Sequence, residues 1–174
     1  GQPPTLPEDD TLWDIQEAGQ QLLAEHGYLQ YEVSAYARAG HQARHNLNYW
    51  SFGDFIGIGA GAHGKLSSPS GQIVRTWKTR LPKDYLAPDK AFLAGQRVLT
   101  GEELPFEFLM NVLRLNDGCS SALFTQRTGL PLSVLSSARG EAEARGLLLR
   151  DPSRLAASRE GQLFLNDLLQ HFLA

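Results

Sequence analysis

Apolar residues recur along this chain in two rhythms, and the change from one to the other marks out its organisation. Leu12, Ile15, Leu22, Leu23 and His26 follow helical spacing behind Asp9, Asp10 and Thr11. That pattern predicts a helix with acids in its first turn, ended by Gly27 just past its C-terminus. Residues 28–34 alternate bulky and polar side chains as a strand does, and Gly40 closes the next short segment. Residues 41–50 have no clean period and read as a loop. Phe55-Ile56-Gly57-Ile58 is short and apolar enough for a buried strand, and Lys65-Leu66 and residues 72–77 flank a Ser/Pro/Gly turn as a hairpin does. A helix over residues 82–93, with Pro82 near its first position, is expected to finish this half.

From Pro105 onward the spacing is helical. Phe106, Leu109, Met110, Leu113 and Leu115 form one face, Gly118 stops it, and a short second helix is expected over 121–127. A third runs from Pro131 to Arg145 and ends at Gly146. Two short apolar runs, 147–149 and 154–156, bracket the turn Asp151-Pro152-Ser153, and a last helix carries Leu163, Phe164, Leu168, Leu169 and Phe172. Three helices, a small wing and a closing helix describe a winged-helix-like module. The fold class expected is α/β, or α+β overall, with a mixed part over 1–103 and the helical module over 104–174.

With 174 residues, 42% hydrophobic and 20% charged, the chain is expected to fold as a globular protein. A net charge of -3 gives no long-range attraction for nucleic acid. Residues 104–174 hold seven basic and seven acidic side chains, and the would-be recognition helix carries Arg139, Glu141, Glu143 and Arg145, which sum to zero. No nucleic-acid partner is therefore expected. A single cysteine, Cys119, excludes an internal disulfide and any three-cysteine iron–sulfur ligand set within these residues. No apolar run approaches the roughly 18 residues of a membrane span, and no signal-peptide pattern is visible, so a cytoplasmic protein is expected. The chain opens at Gly1 into a proline-rich stretch and reads as a piece of a longer product.

Chemistry concentrates between residues 41 and 64. Arg44-His45-Asn46-Leu47-Asn48-Tyr49-Trp50 offers an imidazole, carboxamides, a phenol and an indole, which suits a planar or polar ligand. Gly59-Ala60-Gly61-Ala62-His63-Gly64 matches a dinucleotide-binding pattern, but it runs into Lys65 and a turn rather than opening a helix for the pyrophosphate. Two readings stay open for these glycines: close strand packing, or backbone approach to another ligand. His41 and His45 are four apart, yet no Cys or Glu accompanies them in a metal-binding arrangement, and His63 stands alone. No metal site of the chain's own is expected.

The ordered series formed by residues 31–37, the 44–50 motif, residues 55–64 and Phe106-Glu107-Phe108-Leu109-Met110 resembles the C-terminal half of the oxygen-independent coproporphyrinogen III oxidases and radical SAM haem chaperones. The form His45-Asn46-x-x-Tyr49-Trp50 resembles the chaperone branch. The resemblance implies the closing part of a partial (β/α) barrel followed by the helical module, in a parent that uses S-adenosylmethionine and a [4Fe-4S] cluster. The cluster's C-x-x-x-C-x-x-C loop is absent here, so this chain alone should be inactive. It further implies a place near S-adenosylmethionine for Ala37, Leu109 and Met110. His45, Asn46, Tyr49 and Trp50 would contact haem, or would form a hydrogen-bonded loop locking the barrel's last strands. A tetrapyrrole partner and a homodimer through exposed sheet edges are expected, and a non-catalytic interaction module is the alternative.

Overall fold

The computed structural model describes residues 5–173, so the first four residues of the proline-rich opening lie outside the described residues. The chain divides into two compact units, Gly1–Ala43 and Arg44–Ala174.

In the first unit, helix α1 (Asp9–Glu25) carries Asp9 and Asp10 in its first turn, where they complement the helix dipole. Gly27, at φ 80°, ends it: its N–H reaches Ala24 O at 2.9 Å and that of Tyr28 reaches Leu23 O at 2.9 Å, the paired bonds of a left-handed C-terminal cap. The expected apolar stripe exists but is not buried within this unit; Ile15 is 58% and Leu22 57% exposed. The single strand expected over 28–34 is instead a tight hairpin, β1 (Leu29–Glu32) and β2 (Ala35–Ala37), because Val33 and Ser34 form the turn.

The second unit opens with helix α2 (Arg44–Trp50), where a loop was expected. Seven residues are too few to display a period, and Asn46 and Asn48 look like turn formers. The helix is fastened at its end: Phe52 N–H donates to Tyr49 O (3.0 Å) and Gly53 N–H to Asn48 O (2.7 Å). Phe52 adopts φ 54°, which is rare for a side chain of its size and is held by burial at 1% exposure.

Strands β3 (His63–Ser67) and β4 (Ile73–Lys78) form the expected hairpin. Residues 55–58 do not form a strand; only Phe55 bridges to Lys65, and Ile56 and Ile58 are 73% and 84% exposed. The chain passes so close to the start of β3 that a Cβ on Gly57 would lie 2.2 Å from His63 O. The helix expected over 82–93 is likewise reduced to α3 (Pro82–Tyr85). Pro88 disfavours helix at the residue before it and removes a donor. Residues Leu93–Val98 instead make β5, giving an antiparallel sheet of order β3-β4-β5. Among the described residues the strands close no barrel.

Helix α4 (Leu104–Val112) buries Leu104, Phe108, Leu109 and Val112 on one face. The module then runs β6 (Cys119–Ser120), α5 (Ser121–Thr128), a 3-10 turn at Leu132–Leu135, α6 (Ser136–Ala144) and β7 (Arg154–Leu155). Strand β6 pairs antiparallel with β7, as the wing of a winged helix requires. Gly118 makes this crossing possible: it has φ 55°, and a Cβ there would lie 2.0 Å from Leu155 O. The closing helix is split into α7 (Arg159–Leu163) and α8 (Leu165–Gln170) at Phe164, whose φ and ψ of -111° and 45° leave the helical region. One core joins sheet and module, with Phe108 edge-on to Phe52 (5.5 Å) and to Phe124 (5.2 Å).

An ion pair reinforces that joint. Arg75 on β4 meets Glu107 on α4 at 2.5 Å, with both side chains under 20% exposed. Hydrogen bonds to charged groups of this kind contribute about 1.5–3 kcal/mol, and partial solvation puts this pair near the lower end. Glu107→Gln is expected to lower stability by about 1–2 kcal/mol in a denaturant titration. An unchanged midpoint would mean that the pair is screened.

Candidate functional site

On α2, residues four apart share a face, which sorts the 44–50 motif into two pairs. His45 is exposed and stands edge-on to Tyr49, with ring centroids 6.1 Å apart; Tyr49 in turn meets Phe55 edge-on at 4.5 Å. Trp50 faces the module, where the Arg114 guanidinium covers its ring at 4.4 Å. The Trp50 indole Nε1 is buried and lacks a hydrogen-bond partner among the described residues. Asn46 is half-buried. Trp50 thus anchors the helix, and His45 is the motif's available donor to a metal centre.

Below the helix, the Lys65 ammonium is 2% exposed and held by Asp54 Oδ1 at 2.9 Å, with its charge 4.2 Å from the Phe52 ring centroid. Burial raises the Asp54 carboxyl, but hydrogen bonds from Lys65 Nζ, the Ser67 N–H and the Ser67 hydroxyl outweigh it and hold the group below its ordinary value. Burial lowers Lys65, and Asp54 restores only part of that shift. In the sequence the pair's only signal is a lysine inside a strand next to glycine.

The glycine run serves close packing and turning. A Cβ on Gly64 would lie 2.6 Å from Thr76 Oγ1, while Gly59 and Gly61 take φ values of 110° and 71°. The run leads into β3 and not into a helix, so no helix N-terminus is present to hold a pyrophosphate. Beside it lies a cavity of 470 Å³ lined by Ala60, Gly61, His63, Trp77, Lys78 and Arg80. Of these, only His63 and the glycine run stand out in the sequence.

The remaining candidates are dispersed. Ala37, in the first unit, is buried and borders a cavity of 340 Å³ lined also by Tyr28, Tyr36, Arg38 and His41. His41 precedes α2 and shares no helix face with His45. Leu109 is fully packed in the core. Met110, one position on, lines a different cavity of 360 Å³ with Phe106, Arg114 and residues of α8. In the wing module, Arg139 is occupied by Glu143 (2.7 Å) and by the carbonyl of Asp151 (2.6 Å).

The donor set does not fit an iron–sulfur cluster. Cys119 is the sole cysteine, buried, with its thiol pushed up to about 12 by that burial. Among the described residues no three His, Cys, Asp or Glu side chains are grouped to hold a metal ion.

Comparison with known proteins agrees with this architecture. Residues 99–164 match the HemN C-terminal domain family. The chain is 49% identical over 172 residues to the heme chaperone HemW of Escherichia coli (strain K12), covering 99% of this chain and 45% of that protein. It is 46% identical over 171 residues to the heme chaperone HemW of Haemophilus influenzae, covering 98% and 44%. Among solved structures, the coproporphyrinogen III oxidase HemN of Escherichia coli, a radical SAM enzyme, superposes with a TM-score of 0.67 over 96% of this chain and 42% of that one, at 14% identity. Residues 99–164 thus match the HemN C-terminal domain family, and over nearly its whole length the chain is similar to part of the HemW proteins of that family. Within that family its similarity runs to the heme chaperone branch, and it spans a little under half the length of the relatives it matches.

Proposed function

We propose that the chain is the haem-handling C-terminal part of a haem chaperone, in which the His45 imidazole would hold the haem iron and Tyr49 would pack on the porphyrin. The observation that carries this reading is an exposed imidazole on a two-turn helix whose other face is anchored by Trp50 under Arg114. A neutral imidazole on a rigid support is the ligand that haem iron takes in many proteins, and an aromatic neighbour favours a flat apolar ring. Asn46 would orient the motif from the helix side.

Within the same reading, residues 1–103 close the partial barrel and 104–174 form the appended module. Ala37, with the phenols and guanidinium around its cavity, suits the adenosine of S-adenosylmethionine, which supplies the radical in this protein class; Met110 lines a separate cavity, and Leu109, fully packed, is the less accessible candidate. The [4Fe-4S] cluster would have to be held outside these residues, so the chain alone is expected to bind haem without radical chemistry. Two copies could pair through β5, an edge strand exposed along most of its length.

The reading is tested by titrating haemin into the chain and following absorbance. A saturable Soret shift at one haem per chain is expected. Featureless, non-saturating absorbance would leave the interaction-module alternative in place, in which the winged-helix part docks a protein and no haem is bound.

A further inference from the structure

We propose that His63, Trp77, Lys78 and Arg80 form a receptor for the carboxylate side chains of the tetrapyrrole, a site separate from the His45 ligand. The inference rests on the tetrapyrrole reading above and adds to it the groups that read the ligand's acidic edge.

Charge pairing in the sheet is the starting observation. Of its cations, Lys65 is held by Asp54, Arg75 by Glu107, and Arg97 by Glu103 and Glu107. Lys78, the last residue of β4, has no carboxylate partner among the described residues, and neither does Arg80 two positions on. Both line the 470 Å³ cavity, and no acidic residue lines it with them. Two like charges left unpaired around one hollow favour an anion there.

The rest of the lining is arranged for a flat ligand. His63 and Trp77 are register partners across β3 and β4, so their side chains share a face of the sheet. Trp77 is also opposite Gly95 on β5, and its indole lies over that glycine: a Cβ at 95 would be 2.3 Å from Trp77 Cζ2. The indole is thereby laid down on the strand rather than standing from it. Ala60 and Gly61 also line the cavity and bring backbone to it without a bulky side chain. An aromatic platform, an imidazole and two unpaired cations recognise a planar molecule bearing carboxylates.

The test compares haemin with haemin dimethyl ester, in which the carboxylates are masked, by absorbance titration of the full chain. The wild type should bind the free acid roughly tenfold more tightly or better, as charge-assisted hydrogen bonds of this kind require. In a Lys78→Gln/Arg80→Gln variant that preference should vanish while affinity for the ester stays at the wild-type value; a Lys83→Gln/Lys90→Gln variant should keep it. Circular dichroism confirms the fold, and each single replacement should remove part of the preference. A double variant that retains the full preference, or that loses acid and ester equally, overturns the proposal while leaving haem binding intact. Failure of the wild type to bind either form overturns both this proposal and the functional reading.

Discussion

Replacing Asp54 by alanine should destabilise the chain by about 2–3 kcal/mol, more than removing any other single carboxylate of the sheet. The reason is the partner left behind. Lys65 is 2% exposed and its ammonium has Asp54 at 2.9 Å on one side and the face of Phe52 on the other. Breaking a fully buried pair typically costs about 3–5 kcal/mol, but the Asp54 side chain is 40% exposed, so solvent screens part of the interaction. Restoring neutrality should recover most of the loss: Asp54→Ala/Lys65→Met is expected to lie close to the wild type, whereas Lys65→Met alone leaves a carboxylate that water can reach. A double variant as unstable as Asp54→Ala would show that packing, not charge, sets the cost.

The same pair makes two opposite statements about pH. The Asp54 carboxyl is held below its ordinary value of 3.8, so its contribution is complete above that value and is lost as pH falls through the lowered one. The Lys65 ammonium is also held below its ordinary value of 10.5, and for a base that sign is unfavourable: between the lowered value and 10.5 the unfolded chain binds more protons. Stability of the wild type, relative to Lys65→Met, should therefore rise with pH in that window. A relative stability that falls there would reverse the assignment.

Phe108→Ala is expected to cost about 3–5 kcal/mol in equilibrium unfolding. Phe108 is wholly buried, between Phe52 after α2 and Phe124 on α5, with edge-on contacts to both rings. Its removal leaves a cavity and ends two aromatic pairs worth about 0.5–1.5 kcal/mol each beyond their buried area. The loss should reach the site as well, because Phe52 closes α2 in a left-handed conformation that burial sustains. Amide exchange within residues 44–53 is expected to accelerate in this variant more than in Glu107→Gln. Equal protection of those amides in both would separate the core from the site.

How legible was this protein in its residues? Two helix ends in the 104–174 stretch were readable, since Gly118 and Gly146 take positive φ after periodic segments, a purely local signal. The resemblance of the ordered motifs pointed to the HemN/HemW family, and the family matches agree. Helix α2 was hidden because its end is fixed by tertiary packing: Phe52 closes the helix only while its ring is buried against Phe108, far along the chain. Strand β5 was hidden for a related reason. Its residues are largely exposed, so no alternation of burial marks them, and Gly95 reads as a helix breaker rather than as the bed for Trp77. Of the site, His45 and Tyr49 were recognisable by type, whereas the Asp54–Lys65 pair and the Lys78–Arg80 cavity exist only once the hairpin is folded.

Whether His45 is the haem ligand is decided by the spectrum of haem bound to the wild type and to His45→Ala, with His41→Ala and His26→Ala alongside. A shifted Soret band is expected in the wild type, lost in His45→Ala and retained in both other variants. Identical bound spectra for wild type and His45→Ala would contradict it.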